Sequence, residues 1–125
     1  MSQAQPITIT VKTLYLDEQS QPEYQRFAFS YTITIENNSD IPTQLLSRHW
    51  IITDANNMVQ EVKGDGVIGE QPRILPGDSY TYSSGAVLET QVGTMEGSYQ
   101  MRTDAGDLFH VSIPTFSLTC PHSLH

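Results

Sequence analysis

Residues 26–36 constrain the fold more than any other part of the chain. Apolar residues occupy every second position there, and nearly all the positions between them are polar. The apolar set is Phe27, Phe29, Tyr31, Ile33 and Ile35. Because successive side chains of a strand point to opposite faces, this period of two predicts a β-strand with one buried face. Such a strand needs a second layer to cover it.

Shorter patterns of the same kind recur along the chain, separated by turn residues. Alternation predicts a first strand from residue 7 to 15, and paired runs around the turns at 54–57 and 104–107 predict two hairpins. We count seven or eight short strands and no helix. These features favour an all-β fold, an antiparallel β-sandwich of immunoglobulin or fibronectin type III type, with a barrel as the alternative. The length of 125 residues fits one domain, residues 1–125, with an ordered core from about residue 5 to about residue 119.

Some local features give finer expectations. Residues 85–95 form a less regular segment, which we interpret as a loop, and Pro114 is expected to interrupt the strand that precedes it. Tyr80 follows a proline-glycine turn at 75–77, which predicts a tyrosine corner whose hydroxyl bonds nearby backbone. The single tryptophan, Trp50, shares one strand face with Arg48 and Ile52, and we expect it to pack between the two sheets.

Three glycines after the central hairpin, Gly64, Gly66 and Gly69, have the G-x-G-x-x-G spacing of dinucleotide-binding loops. In those proteins the loop opens a helix whose N-terminus faces the pyrophosphate. Here Pro72 and Pro76 follow within a few residues and leave no room for such a helix. The motif therefore favours a tight loop in which glycine permits a positive φ.

The alternative interpretation of the glycine loop is an anion site. Backbone amides can form a nest for phosphate, pyrophosphate or a nucleotide without any helix. Lys63 and Arg73 flank residues 64–69 and would supply positive charge, whereas Asp65 and Glu70 would oppose it. The candidate ligand-binding residues are Lys63, Gly64, Gly66, Gly69 and Arg73.

The charge balance excludes some partners. A formal net charge of −8 would repel nucleic acid and anionic membranes, and no apolar run is long enough to span a bilayer. A single cysteine, Cys120, permits no intrachain disulfide and fits a reducing compartment. The first residues show neither a basic region nor an apolar core of a signal peptide. We therefore expect a cytoplasmic protein that is a monomer or a weak homodimer.

Residues for metal binding or catalysis do not form recognisable motifs. A metal site needs converging ligands, and no His-x-His or Cys-x-x-Cys spacing joins the scattered histidines, which are His49, His110, His122 and His125. Two serines precede Gly85, but the nucleophile elbow of hydrolases is missing. The sequence thus predicts no metal, no cofactor, no catalytic residues and no enzymatic activity.

Four separated motifs resemble the bacterial ApaG family, in the same order and over nearly the whole chain. They are Arg-His-Trp-Ile-Ile-Thr-Asp at 48–54, Gly-Asp-Gly-Val-Ile-Gly-Glu-Gln-Pro at 64–72, Tyr-Ser-Ser-Gly at 82–85, and Met-Glu-Gly-Ser-Tyr-Gln-Met at 95–101. The resemblance implies a fibronectin type III-like sandwich and an association with cobalt resistance and magnesium efflux. Related domains in eukaryotic F-box proteins and in a polymerase-interacting protein imply an interaction role. The family's glycine motif has also been discussed as a pyrophosphate site, and no catalytic residues carry over.

Together these features predict a non-enzymatic protein-interaction module. A rigid all-β scaffold presents its loops for binding, and an open sheet edge can receive a partner strand. The partner is an unknown protein, with a component of cation efflux as one candidate. Regulation of a transporter would link the protein to cobalt and magnesium without any bound ion.

Overall fold

The computed structural model describes residues 6–121, and the chain there is almost entirely β-structure. Two short 3-10 turns, Asp17–Gln19 and Pro22–Tyr24, fill the connection between the first two strands. The eight strands are β1 (Ile7–Tyr15), β2 (Phe27–Asn37), β3 (Thr43–Asp54), β4 (Val59–Asp65), β5 (Arg73–Ile74), β6 (Ser79–Leu88), β7 (Val92–Thr103) and β8 (Leu108–Thr119).

The strands form two separate antiparallel sheets. The smaller sheet has the order β1-β2-β6, and the larger has the order β4-β3-β7-β8, with the short β5 paired to the beginning of β3. Because the two sheets share no continuous pairing, the sandwich prediction is confirmed over the barrel alternative. One side of the sandwich is narrow, since β1 lies beside β8. The other side lies between the outer strands β6 and β4.

The core lies between the two sheets, as the pattern of residues 26–36 predicts. All five apolar residues of that face are buried on β2. Trp50 on β3 is only 2% exposed. Its ring lies 5.4 Å from Tyr31 of the smaller sheet and 5.8 Å from Phe116 of the larger sheet, measured between ring centroids. Trp50 therefore bridges the two layers, and its predicted position is confirmed.

The predicted loop at 85–95 is wrong. β6 continues to Leu88 and β7 begins at Val92, which leaves a turn of only a few residues between them. Glycines hide this strand signal because they weaken strand propensity and break the alternation. Gly93 is required by close packing: a Cβ there would lie 2.7 Å from the backbone oxygen of Thr53 and 2.6 Å from Cδ1 of Leu88.

Pro114 does not interrupt β8 as predicted. The strand runs through it, and the pairing of β7 with β8 shifts register between Met95 and Gly97, opposite the proline. β8 is the outer strand of its sheet. A proline is tolerated at such a position because a bulge on an edge strand does not require its missing N–H.

The predicted tyrosine corner at Tyr80 is also wrong. Tyr80 is half-buried, and within residues 6–121 its hydroxyl makes no hydrogen bond. The turn before it is pinned by Asn37, which is fully buried and whose side-chain amide donates to the backbone oxygens of Ile41 and Ile74 at 3.0 and 2.9 Å. The side chain that holds this turn in place is therefore Asn37 and not, as the sequence predicted, Tyr80.

The buried tyrosine hydroxyls belong instead to Tyr82 and Tyr99. Their oxygens are 2.5 Å apart and join β6 of one sheet to β7 of the other. Burial raises the pKa of both hydroxyls, and for Tyr99 the proximity of Tyr82 adds to the rise. Both groups are therefore neutral across the physiological range.

His122 and His125, and residue 5 at the start of the expected core, lie outside the described residues. Within residues 6–121, no helix has the length and apolar character needed to cross a bilayer.

Candidate functional site

The glycine motif forms a tight hairpin turn between β4 and β5. Val67 and Glu70 exchange backbone hydrogen bonds of 2.8 and 2.9 Å across the turn. The two residues between them, Ile68 and Gly69, have φ values of 50° and 77°. Positive φ at both central positions is the signature of a type I′ turn. The side chain of Val67 is fully buried and anchors the turn in the core.

Each glycine of the motif has a structural reason to be glycine. At Gly66, which has a φ of 62°, a Cβ would lie 2.2 Å from the backbone oxygen of Glu70. Gly69 has open space around it and is required only for its φ of 77°. Both fit the tight-loop interpretation, in which glycine permits the turn.

Gly64 differs from this interpretation because it lies in β4 without a positive φ. A Cβ at Gly64 would lie 2.9 Å from both terminal guanidinium nitrogens of Arg48. The Arg48 Nη1 atom donates to the backbone oxygens of Asp65 and Gly66, at 3.0 and 2.9 Å. Gly64 therefore makes room for an arginine that holds the start of the loop.

Arg48 is a site residue that sequence reasoning missed, although a signal was present. It alternates with Trp50 and Ile52 and therefore occupies the inward face of β3. A charged residue at an inward position is costly unless its hydrogen bonds are satisfied. The backbone oxygens of Asp65 and Gly66 accept the hydrogen bonds that Arg48 needs. An inward arginine on β3 is therefore a signal that it holds a neighbouring loop in a fixed position.

Ile68 at the tip of the turn is the second missed residue. Its side chain is 58% exposed, and a β-branched residue rarely adopts its φ of 50°. Strain of this kind persists only where the surrounding structure enforces it, and it concentrates at functional positions. Val67 and Arg48 supply the enforcement, so the loop presents an apolar tip in a fixed conformation.

The two predicted cations do not converge on the loop. Arg73 in β5 donates through Nε to Asp104 at 3.1 Å and through Nη2 to the same carboxylate. These bonds raise the pKa of Arg73 and lower that of Asp104. In the strand register, Arg73 lies opposite Gln44 of β3, and Lys63 lies opposite His49. The backbone positions of the two cations are therefore separated by five residues along β3, roughly 16 Å.

The loop nevertheless has two free donors. Within the described part of the chain, the backbone N–H groups of Ile68 and Gly69 have no protein acceptor, whereas those of Gly66, Val67 and Glu70 are bonded. Lys63 is exposed, and its Nζ lies 3.9 Å from a carboxylate oxygen of Glu61. An anion at the turn would therefore contact the two adjacent amides of Ile68 and Gly69. Neither Lys63 nor Arg73 would neutralise its charge, because each lies beside a carboxylate of its own.

The outer face of the larger sheet carries an open cleft of about 390 Å³. On and beside this cleft, His49 of β3 lies directly opposite Ser98 of β7 and diagonally from Glu61 of β4, and His49 Nε2 is 2.5 Å from Glu61 Oε2. Serine, histidine and a carboxylate are the components of a hydrolytic triad. However, within residues 6–121 no hydrogen bond joins His49 to Ser98, and the side chains of His49 and Glu61 are open to solvent.

His110 lines the same cleft as His49, which brings together two histidines that are far apart in the sequence. In the described part of the chain, no group of three histidine, cysteine or carboxylate side chains is placed to hold a metal ion. The cleft offers polar side chains on a shallow surface, without an enclosed cavity.

Comparisons with known proteins agree on one family. The family model described as ApaG domain matches residues 17–103. A protein described as Protein ApaG from Pseudomonas aeruginosa is 57% identical over 119 residues, which cover 95% of this chain and 94% of the relative. The corresponding protein of Ectopseudomonas mendocina is 58% identical with the same coverage.

Solved structures give the same result at the level of the fold. The structure of a protein from Bordetella pertussis described as a putative ApaA protein is 45% identical to this chain, with a TM-score of 0.90. The match covers 92% of this chain and 94% of that structure. A protein from Archaeoglobus fulgidus shares the fold alone, at 11% identity and a TM-score of 0.56.

Proposed function

The chain belongs to the ApaG domain family, and on that premise we propose that it is a protein-interaction module without enzymatic activity, acting in the cytoplasm. The observation that carries this proposal is the exposed Ile68, held in a strained turn by a buried valine and an inward arginine. Large apolar side chains at rigid loop tips are suited to fill a pocket on a partner.

The energetic argument supports a role for Ile68 beyond folding. An asparagine or glycine would fit the left-handed conformation better and would remove the strain. An exposed isoleucine in its place costs stability without contributing to the core. Natural proteins retain such local costs mainly where function requires them.

The absence of catalysis is proposed on the geometry of the outer cleft. Catalytic groups are effective when they are held together in a site that excludes water. An open sheet surface carries Glu61, His49 and Ser98. The resemblance to a family associated with cobalt resistance and magnesium efflux fits a module that binds a component of cation efflux.

The test is a pull-down with tagged protein from the native cell in mild salt, followed by mass spectrometry. The Ile68→Asn variant should lose the recovered partner and should be as stable as the native protein or more so. Leu108→Asn is a matched control, because Leu108 is 59% exposed at the beginning of β8. Equal recovery with Ile68→Asn and the native protein contradicts the role of the tip, and recovery of no specific protein contradicts the module itself.

Phosphate, pyrophosphate or nucleotide binding is the second candidate, and the free amides of Ile68 and Gly69 favour it. In an NMR titration, we expect pyrophosphate to leave these two amides unshifted, because Asp65 and Glu70 flank the turn and the net charge is −8. Saturable shifts confined to the loop at sub-millimolar pyrophosphate, weakened by added salt, would instead establish the anion site.

A further inference from the structure

The outer strands of the two sheets differ in how their open edges are protected. Edge strands usually carry charges, prolines or bulges that prevent pairing with another chain. β1 carries Lys12, β4 carries Glu61 and Lys63, and β8 carries Pro114 beside a register shift. These features leave β6 as the exception.

β6 has none of these protections. Its ten residues, Ser79–Leu88, include no charged residue and no proline. Its register with β2 is continuous, and within residues 6–121 its other edge pairs with no strand. Gly85 lies on this edge, and a strand glycine permits another backbone to approach closely. The edge therefore has the properties of a site for strand addition.

A groove runs beside this edge, between β6 and β4. It consists of two adjoining depressions of about 290 and 240 Å³ that share Ile52, Gln60 and Val87. Trp50 and Val62 line one depression, and the exposed Met58 and Val59 line the other. A strand added to β6 would place alternate side chains over the apolar residues of this groove.

We infer that β6 receives an extended segment of a partner protein, which pairs with it antiparallel. The segment has apolar residues at alternate positions, facing Trp50 and Ile52, and a lysine or arginine near its amino end. Main-chain hydrogen bonds to the edge would provide affinity, and the alternate side chains would provide specificity. This inference rests on the proposed function and assigns it a second contact surface, apart from the loop tip.

Charge determines the preferred occupant. Glu89 follows β6 directly and is exposed, and its carboxylate makes no ion pair or hydrogen bond with the described residues. Asp54 lines the same end of the groove, and its carboxylate accepts two backbone amides of its own turn. The amino end of an antiparallel strand lies beside the carboxyl end of β6, so a basic residue there meets this acidic end. A second copy of the chain would bring another net charge of −8, which opposes pairing of two β6 edges.

The probe is a synthetic, end-blocked peptide of about eight residues, with lysine first and then valine and threonine alternating, a length within the usual range of strands. Binding is followed by NMR on the native protein. We expect saturable shifts and slowed hydrogen exchange at alternate amides of β6. Peptide binding elsewhere, or no saturable shift, overturns the inference.

Two variants test the position and the charge. Val87→Lys places a charge on the edge beside the peptide lysine and should weaken binding at least about tenfold. Leu14→Lys is the matched control on β1, the opposite edge of the same sheet, and should leave binding unchanged. Glu89→Gln should weaken binding about two- to fivefold, and only for the peptide that carries lysine. An equal loss with Leu14→Lys, or no loss with Val87→Lys, contradicts the assignment to β6.

The same variants separate this inference from the proposed function. If the pull-down recovers a partner equally with the native protein, Val87→Lys and Leu14→Lys, the interaction module stands and the β6 site is refuted. If the native protein recovers no partner, the proposed function fails whatever the peptide result. Concentration-dependent dimers of the native protein that Val87→Lys abolishes would assign the edge to a second copy, against our inference.

Discussion

Changing Tyr82 to phenylalanine should destabilise the protein by about 1–3 kcal/mol, the usual cost of leaving a buried polar group without a partner. The Tyr82 and Tyr99 hydroxyls are 2.5 Å apart, and in the described part of the chain neither has another hydrogen-bond partner. The Tyr99 side chain is fully buried, so its hydroxyl has no water to replace the lost bond.

The opposite change, Tyr99→Phe, should cost less. It leaves the Tyr82 hydroxyl unpaired, but Tyr82 retains 7% exposure and lies on the open outer strand of its sheet. A small movement can therefore bring that hydroxyl into contact with water. The double variant should cost no more than about 1 kcal/mol, because removing both partners leaves no buried group unsatisfied. The two substitutions should thus be strongly non-additive.

Urea denaturation of the four proteins measures this coupling through their free energies of unfolding. Tyr80→Phe is the matched control: it removes the hydroxyl of a half-buried tyrosine two residues away and should change stability by less than about 0.5 kcal/mol. Additive costs of the two single variants would refute the reasoning, and so would a cost of Tyr80→Phe equal to that of Tyr82→Phe.

The same pair predicts a dependence on alkaline pH. Burial raises the pKa of Tyr82 and Tyr99 above the ordinary value of 10.0 in the folded state. The unfolded chain then releases these protons first as the pH rises. The stability that the pair contributes is therefore complete below pH 10 and is lost progressively above it, toward the folded pKa. In the double phenylalanine variant, the free energy of unfolding should fall less steeply over that range.

Four further predictions follow from the packing and the charges. Trp50→Ala should cost about 3–5 kcal/mol in urea denaturation, because it empties the centre of the core, and a cost below about 1 kcal/mol would contradict that position. Gly97→Ala should cost about 1–3 kcal/mol, since its Cβ would lie 2.0 Å from the backbone oxygen of His49; native stability in this variant would contradict the close approach. The bond from Arg73 holds the pKa of Asp104 below 3.8, so its contribution is lost as the pH falls below that value, and Asp104→Asn should make acid unfolding less steep. Millimolar cobalt or magnesium should leave the melting temperature unchanged, and a clear rise would establish a metal site.

Much of the fold could be predicted from the sequence because its signals are local. The period of two in residues 26–36 places β2, and the same alternation places Trp50 on the inward face of β3. The prediction failed where glycine and proline dominate the local pattern. The loop expected at 85–95 is strand on both sides of a short turn, and β8 continues through Pro114, because sheet pairing overrides weak local propensity.

The candidate site was predicted less well, since its contacts join residues that are distant in the chain. The sequence identified the glycine turn but assigned its charge to Lys63 and Arg73, while Arg48 is the residue that holds it. The role of Gly64 depends on the Arg48 guanidinium across the strand pair, so spacing alone could not reveal it. The strained φ of Ile68 is likewise a property of the closed turn.

The sequence by itself determined where most of the strands lie, the buried face of β2 and the inward position of Trp50, because side-chain alternation and turn residues act over a few positions. Only the tertiary structure decided which strands are neighbours. That arrangement pairs the Tyr82 and Tyr99 hydroxyls across the sandwich and joins Arg73 to Asp104. It also leaves β6 as an open edge beside the groove between β6 and β4. These features depend on the register of strands far apart in sequence, which is fixed by the packing of the whole core.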